Sequence, residues 1–293
     1  MKNTSIGQLI LCILIPFLGL IAFGGIVVAM LVAYLAPAAS TDMEKALLML
    51  SKNTVFFLNM IPFFIGFGLL LFAARFFAKT RLKSFISSRD KIDWRRFGFS
   101  FLVWSVLSFG FFAIDYFSNP AVYQLKFDGA IFSVLLVLSL IAIPIQTGFE
   151  EIIFRGFLLK LSQRFFANFL LICSINGLFF GAMHLANPEI ALFGWPAFLY
   201  FVVTGMFLAA ITLIDKGVEL AWGFHAANNL FGVLIVTNNW QVLQTNALFI
   251  DTRPPEIGMN LLWTMLVAYP LLFVLLAKYY RWDLAGIFSR KRQ

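Results

Sequence analysis

Blocks of about twenty apolar residues, each set off by a short polar break, organise almost the whole chain. A helix needs about 20 apolar residues to cross the hydrocarbon core of a bilayer. By that measure the pattern predicts spans near 8–35, 54–77, 98–117, 129–147, 166–186, 190–214, 218–237 and 258–280. A further helical stretch, 149–164, continues the fourth span or bends off it near Pro144 and Gly148. Helices are the expected element because an open sheet cannot satisfy its backbone in lipid. The fold class is therefore all-α, a polytopic transmembrane bundle of about eight spans forming one membrane domain over 1–293.

Composition agrees with this pattern. Of 293 residues 61% are hydrophobic and only 12% charged, against about 25% charged in a soluble domain. The first apolar block is too long for the core of a cleaved signal, about 7–15 residues, and reads as a retained first span. The net charge of +8 does not imply nucleic acid, because most of the basic residues fall in loops between spans. Loop 79–97 holds Lys79, Arg81, Lys83, Arg89, Lys91, Arg95 and Arg96 against Asp90 and Asp93, and Lys278, Arg281, Arg290, Lys291 and Arg292 gather at the end of the last span and beyond. The opposite loops are poor in basic residues, so the bias puts both termini in the cytoplasm. Cys12 and Cys173 lie in apolar runs and read as small packed hydrophobes, with no disulfide framework.

Ionisable groups deep in a span are costly and mark functional sites. Asp115, Arg75 and Glu219 lie near span ends, where snorkelling is the expected explanation. Besides these the spans hold "GFEEIIFRG", with Glu150, Glu151 and Arg155, and the only two histidines, His184 in "FFGAMHLAN" and His225 in "WGFHAANNL". Glu151 and Arg155 are i and i+4 in the favourable order for an ion pair. Glu150 points about 100° away, without an obvious local partner, and a desolvated carboxylate of that kind suits a general base. His225 and Asn229 share a helix face. Together a carboxylate, a histidine and a His/Asn pair have the parts to hold and deprotonate a water and to donate to the oxyanion of a tetrahedral intermediate.

Each part has a plainer reading. Two acids at a helix start complement its dipole, and a membrane histidine often serves as an interhelical hydrogen-bond partner. Asn228 reads as a helix bridge, and Ser174, Asn176 and Gly177 as close-packing positions. It is the concentration of all the deep ionisable groups in three short motifs that favours a site.

Those motifs resemble the CPBP family of intramembrane endopeptidases, which includes type II CAAX prenyl proteases and lysostaphin-resistance-type proteins. EExxxR is matched by Glu150, Glu151 and Arg155, FxxxH by Phe180 and His184, and HxxxN by His225 and Asn229, in the family order, with the catalytic core over about 130–237. The resemblance implies that Glu150 activates a water with help from His184, that His225 and Asn229 line the oxyanion site, and that Glu151 and Arg155 support them. It also brings a zinc alternative, with Glu150, His184 and His225 as ligands. The chain has no HExxH run, and the Asn-containing set fits a glutamate mechanism, so no metal or other cofactor is expected. The implied partners are a membrane-associated protein or peptide substrate and the lipid bilayer, with no nucleic acid, and the implied location is the cytoplasmic membrane of a bacterium. Two other functions compete: an ion- or proton-coupled transporter, and a non-catalytic immunity or scaffold relative of the same fold.

Overall fold

The computed structural model describes residues 4–39, 41–255 and 263–284. Polar caps set the starts of its helices. Ser51 accepts from the Thr54 amide, Asp93 from Arg95, Asp128 from Ala130 and Ile131, and Asn168 from Leu171, each satisfying donors that a helix start leaves unpaired. Five helices are long and apolar enough to cross a membrane: α1 (Ile6–Leu35), α3 (Lys52–Phe76), α5 (Trp94–Ser118), α6 (Gly129–Phe165) and α9 (Trp195–Asp215). Shorter helices lie between and after them: α2 (Met43–Leu48), α4 (Lys83–Ile86), α7 (Phe169–Met183), α8 (Pro188–Phe193), α10 (Glu219–Leu234) and α11 (Thr264–Tyr280). The molecule is thus a helical membrane bundle.

The predicted spans 166–186, 218–237 and 258–280 correspond to the shorter helices α7, α10 and α11. The predicted start of the last, 258–262, lies outside the described residues. The stretch 149–164 continues α6 without a break, and Pro144 stays inside the helix. Its departure from α geometry comes later, in a π-helical segment at Ile152–Leu158. Gly148 lies at a close helix contact. A Cβ there would lie 2.7 Å from the Trp222 indole, so its lack of a side chain lets α10 approach α6. Trp222 Nε1 donates to the Pro144 carbonyl at 2.9 Å across the same contact.

The bundle is organised by two extensive helix pairs, α7 with α9 and α10 with α5, while α6 packs against α3 and α10. The α7–α9 crossing depends on Gly177 and Gly205. A Cβ on Gly177 would meet the Val202 carbonyl at 2.5 Å, and one on Gly205 would meet the Gly177 Cα at 2.8 Å. Small residues at such crossings replace the hydrophobic drive that lipid removes. Asn176 fits the close-packing reading, with its amide donating to the Ile172 carbonyl at 3.0 Å.

Snorkelling does not explain Glu219 or Asp115. Glu219 is fully buried and receives Arg89 Nη1 at 3.4 Å and the Asp93 amide at 3.2 Å. Beside it Asp215 binds Arg89 at 2.9 Å and also Arg96, tying the basic loop to the α9–α10 turn. Asp115 pairs with Arg253 Nη2 at 2.9 Å and accepts from Tyr123. Burial, and then that carboxylate, hold the Tyr123 phenol protonated well above its ordinary range. Arg75 is exposed, as a snorkelling side chain would be.

A small sheet, not anticipated from the helical pattern, sits at the end of the bundle opposite the basic loop. Strand β3 (Phe249–Asp251) pairs antiparallel with β1 (Tyr123–Leu125) and parallel with β2 (Val236–Thr237). The segment between β2 and β3 is tied down by Thr245 to the Val233 carbonyl (2.6 Å), Asn246 to Asn53 (3.0 Å) and the Val242 amide to Glu189 (2.9 Å).

Candidate active site

Helical spacing on α6 sets up two i,i+4 pairs side by side. Gln146 Nε2 donates to Glu150 Oε1, so the local partner missing from the sequence reading is an amide one turn earlier. Glu151 Oε1 accepts from Arg155 Nη1 at 3.1 Å, as the spacing predicted, and both side chains are buried. Arg155 reaches further, donating to the Gly205 carbonyl at 3.3 Å and lying over the Phe180 ring at 4.6 Å. One buried cation therefore joins α6 to α7 and α9.

His225, on α10, stands between the two glutamates. Its Nδ1 lies 2.8 Å from Glu151 Oε1, and its Nε2 lies 3.7 Å from Glu150 Oε2. Because an ionised carboxylate only accepts, Glu151 fixes the Nδ1–H form of the ring and aims Nε2 towards Glu150. Glu150 Oε2 itself is shielded from solvent and has no hydrogen-bond partner among the described residues.

His184 closes α7. Its Nδ1 is 2.7 Å from the Phe180 carbonyl, which can only accept, and its ring stacks on Phe201 with centroids 4.1 Å apart. That bond leaves Nε2 as the lone-pair nitrogen of the neutral ring. The FxxxH spacing has a second use: the Phe180 ring lies 4.6 Å from the His184 ring and 5.9 Å from His225, edge to face. Asn229 Nδ2 donates to Gln146 Oε1 at 3.1 Å.

These groups line one cavity of about 730 Å³, whose wall includes Gln146, Glu150, His184, His225, Asn228 and Asn229 among Phe63, Phe154, Phe180 and Phe201. Trp240, Gln241, Val242 and Leu243 cover it from the β2–β3 segment, and Glu189 joins them. Glu151 and Arg155 are not among the lining residues and sit behind His225. Of the two histidines, His225 is the one within 4 Å of Glu150, whereas the sequence reading paired Glu150 with His184. Gln146 was missed in that reading. Its signal was present as the single amide four residues before Glu150 in "IPIQTGFEE". The alternative zinc donors Glu150, His184 and His225 are not drawn together as ligands, and among the described residues no three His, Cys, Asp or Glu side chains are grouped to hold a metal ion.

The helical membrane bundle thus carries a carboxylate–histidine–amide cluster on a cavity wall, and comparison with known proteins gives its class. Residues 129–231 match the family described as Type II CAAX prenyl endopeptidase Rce1-like, a stretch that contains every motif residue from Glu150 to Asn229. The uncharacterized protein YyaK of Bacillus subtilis is 33% identical over 202 residues, covering 69% of this chain and 67% of YyaK. No solved structure matches the chain. The chain belongs to the Rce1-like family of membrane proteases.

Proposed function

We propose that this protein is an intramembrane endopeptidase that hydrolyses a peptide bond of a membrane-associated protein or peptide with a water activated by Glu150. The observation that carries the reading is that Glu150 lines the cavity while its Oε2, 3.7 Å from His225 Nε2, has no hydrogen-bond donor among the described residues. In this reading Glu150 accepts a proton as the water oxygen bonds to the scissile carbonyl carbon. The developing oxyanion is met by the second N–H of Asn229, with His225, whose ring Glu151 orients, beside it. His184 presents Nε2 on the same cavity and assists with the water. The tetrahedral intermediate collapses as the C–N bond breaks, and Glu150 returns its proton to the leaving amine. Arg155 holds Glu151 in place.

Glu150→Gln is nearly isosteric and cannot take the proton. Comparison of peptides in membrane fractions from cells with wild-type protein, with Glu150→Gln and with neither should reveal products that need the glutamate. Cleavage by the variant at the wild-type rate would overturn the assignment. A transporter would instead give Glu150-dependent ion flux and no cleavage product, and a scaffold relative would give neither. The reaction in this reading needs no metal, so titration with a membrane-compatible zinc chelator should leave the rate within about twofold. A loss reversed by added zinc would reinstate a metal mechanism. The family and the basic loops support a place in the cytoplasmic membrane of a bacterium.

A further inference from the structure

Behind the candidate base lies a row of hydrogen bonds that all run one way. Trp104 Nε1, on α5, donates to Asn228 Oδ1 at 3.3 Å. Asn228 Nδ2 donates to Asn229 Oδ1 at 3.3 Å, and Asn229 Nδ2 to Gln146 Oε1 at 3.1 Å. Gln146 Nε2 donates to Glu150 Oε1 and ends the row. It crosses from α5 through α10 to α6.

The direction of this row is forced from both ends. An indole N–H donates and never accepts, so Asn228 must turn its oxygen towards Trp104 and its nitrogen towards Asn229. That choice makes Asn229 present its own nitrogen to Gln146, and Gln146 in turn present its nitrogen to the carboxylate. Starting instead from Glu150, an ionised carboxylate only accepts, and the same order follows in reverse. Each of the three amides would otherwise have two orientations, equal in shape and opposite in polarity. Trp104 is 4% exposed, packed on Phe224 and Tyr269, and so is a fixed starting point.

From this geometry we infer that Trp104, Asn228 and Gln146 are positioning residues. They act as a polarised amide relay that sets the orientation of the Asn229 amide and directs one N–H at Glu150. The inference rests on the endopeptidase reading above. With the orientation fixed, Asn229 commits one N–H to Gln146 and keeps the other available for the cavity, where an oxyanion would form. Aligned hydrogen bonds polarise one another, so the last donor, Gln146, holds Glu150 Oε1 while Oε2 stays free to take the proton. A flipped Asn229 would turn a carbonyl oxygen to the oxyanion and repel it.

Two substitutions break the relay, the second of them isosteric. Trp104→Phe keeps an aromatic ring against Phe224 and Tyr269 and removes the N–H together with part of the indole. Asn228→Asp is isosteric and still accepts from Trp104 but cannot donate to Asn229. Kinetics would be measured in detergent on a farnesylated CAAX peptide, or on a product-yielding peptide from the membrane-fraction comparison. Because a misdirected donor acts on the transition state, kcat should fall about tenfold or more in each variant with KM within twofold. A site needing only packing at Asn228 would tolerate Asp better than Ala, whereas the relay predicts Asp to be no better than Ala. A substrate-free readout covers a protein that cleaves neither peptide. In thermal unfolding, Trp104→Phe and Gln146→Met should be non-additive although the two side chains do not bond each other. Additive effects, or wild-type kcat in Trp104→Phe and Asn228→Asp while Glu150→Gln is inactive, would overturn the relay alone. A Glu150→Gln protein as active as wild type would overturn the endopeptidase reading instead.

Discussion

The two adjacent glutamates differ in what holds them. Glu151 is fully buried between Arg155 and His225, whereas Glu150 is on the cavity wall with one oxygen on Gln146 and the other without a donor among the described residues. Arg155→Met would leave Glu151 a buried carboxylate facing only His225, and breaking such a pair costs about 3–5 kcal/mol. A large fall in thermal unfolding temperature in detergent is expected, with less protein in the membrane. Retention of wild-type stability would mean that Arg155 does not hold Glu151. At this scale the sequence was most legible where charge is scarce, since Glu150, Glu151, Arg155, His184 and His225 stand out in apolar runs. Gln146 was not legible in the same way. A neutral amide carries little penalty in a span, and its importance comes from Asn229, 83 residues away. Glu219 and Asp115 were misread for the same reason, because their partners Arg89 and Arg253 come from distant loops.

At the level of elements, lengths of apolar sequence located the helices, but polar caps and close contacts decided their ends. The α7–α9 crossing is one such close contact. Gly177→Val would drive a branched side chain into the Val202 carbonyl and the Met206 side chain and amide. Overpacking of this kind costs typically about 1–3 kcal/mol. Because Arg155 bonds the Gly205 carbonyl and Phe180 sits one turn from Gly177, the variant should lose activity as well as thermal stability. Equal stability of the valine variant and wild type would show that the helices can separate freely. The small sheet escaped sequence reading because its strands have three, two and three residues, too short for any alternation to register. Its position became clear only with the long-range pairing of 123–125 with 249–251.

For the whole molecule, the charge bias and the fold agree on which loops share an end. The basic loop 79–97 meets the α9–α10 turn through Ser88 to the Lys216 carbonyl and Arg89 to Asp215, and the sheet lies at the other end. The positive-inside bias then predicts that a cysteine at Lys91 reacts with a membrane-impermeant maleimide only after permeabilisation, and one at Gln244 in intact cells. Cys12 and Cys173 are buried and should give little background. Labelling in the reverse order would invert the orientation.

The π-helical segment Ile152–Leu158 gives α6 a property that no unbroken α-helix of its length would have. One extra residue per turn is a phase shift, so the part of α6 holding Gln146, Glu150 and Glu151 is set in rotation independently of the part after Leu158. The latter is anchored by Lys160 to the Ser84 carbonyl and by Ser162 to Asn176. Deleting one residue from 156–158 would restore a regular helix and turn the anchor by about 100° relative to the glutamates. The glutamates and the anchoring half could then no longer meet their partners at once. The insertion therefore works as a coupling between two gears cut to different pitches, and its length is as much a specification of the site as the identity of Glu150.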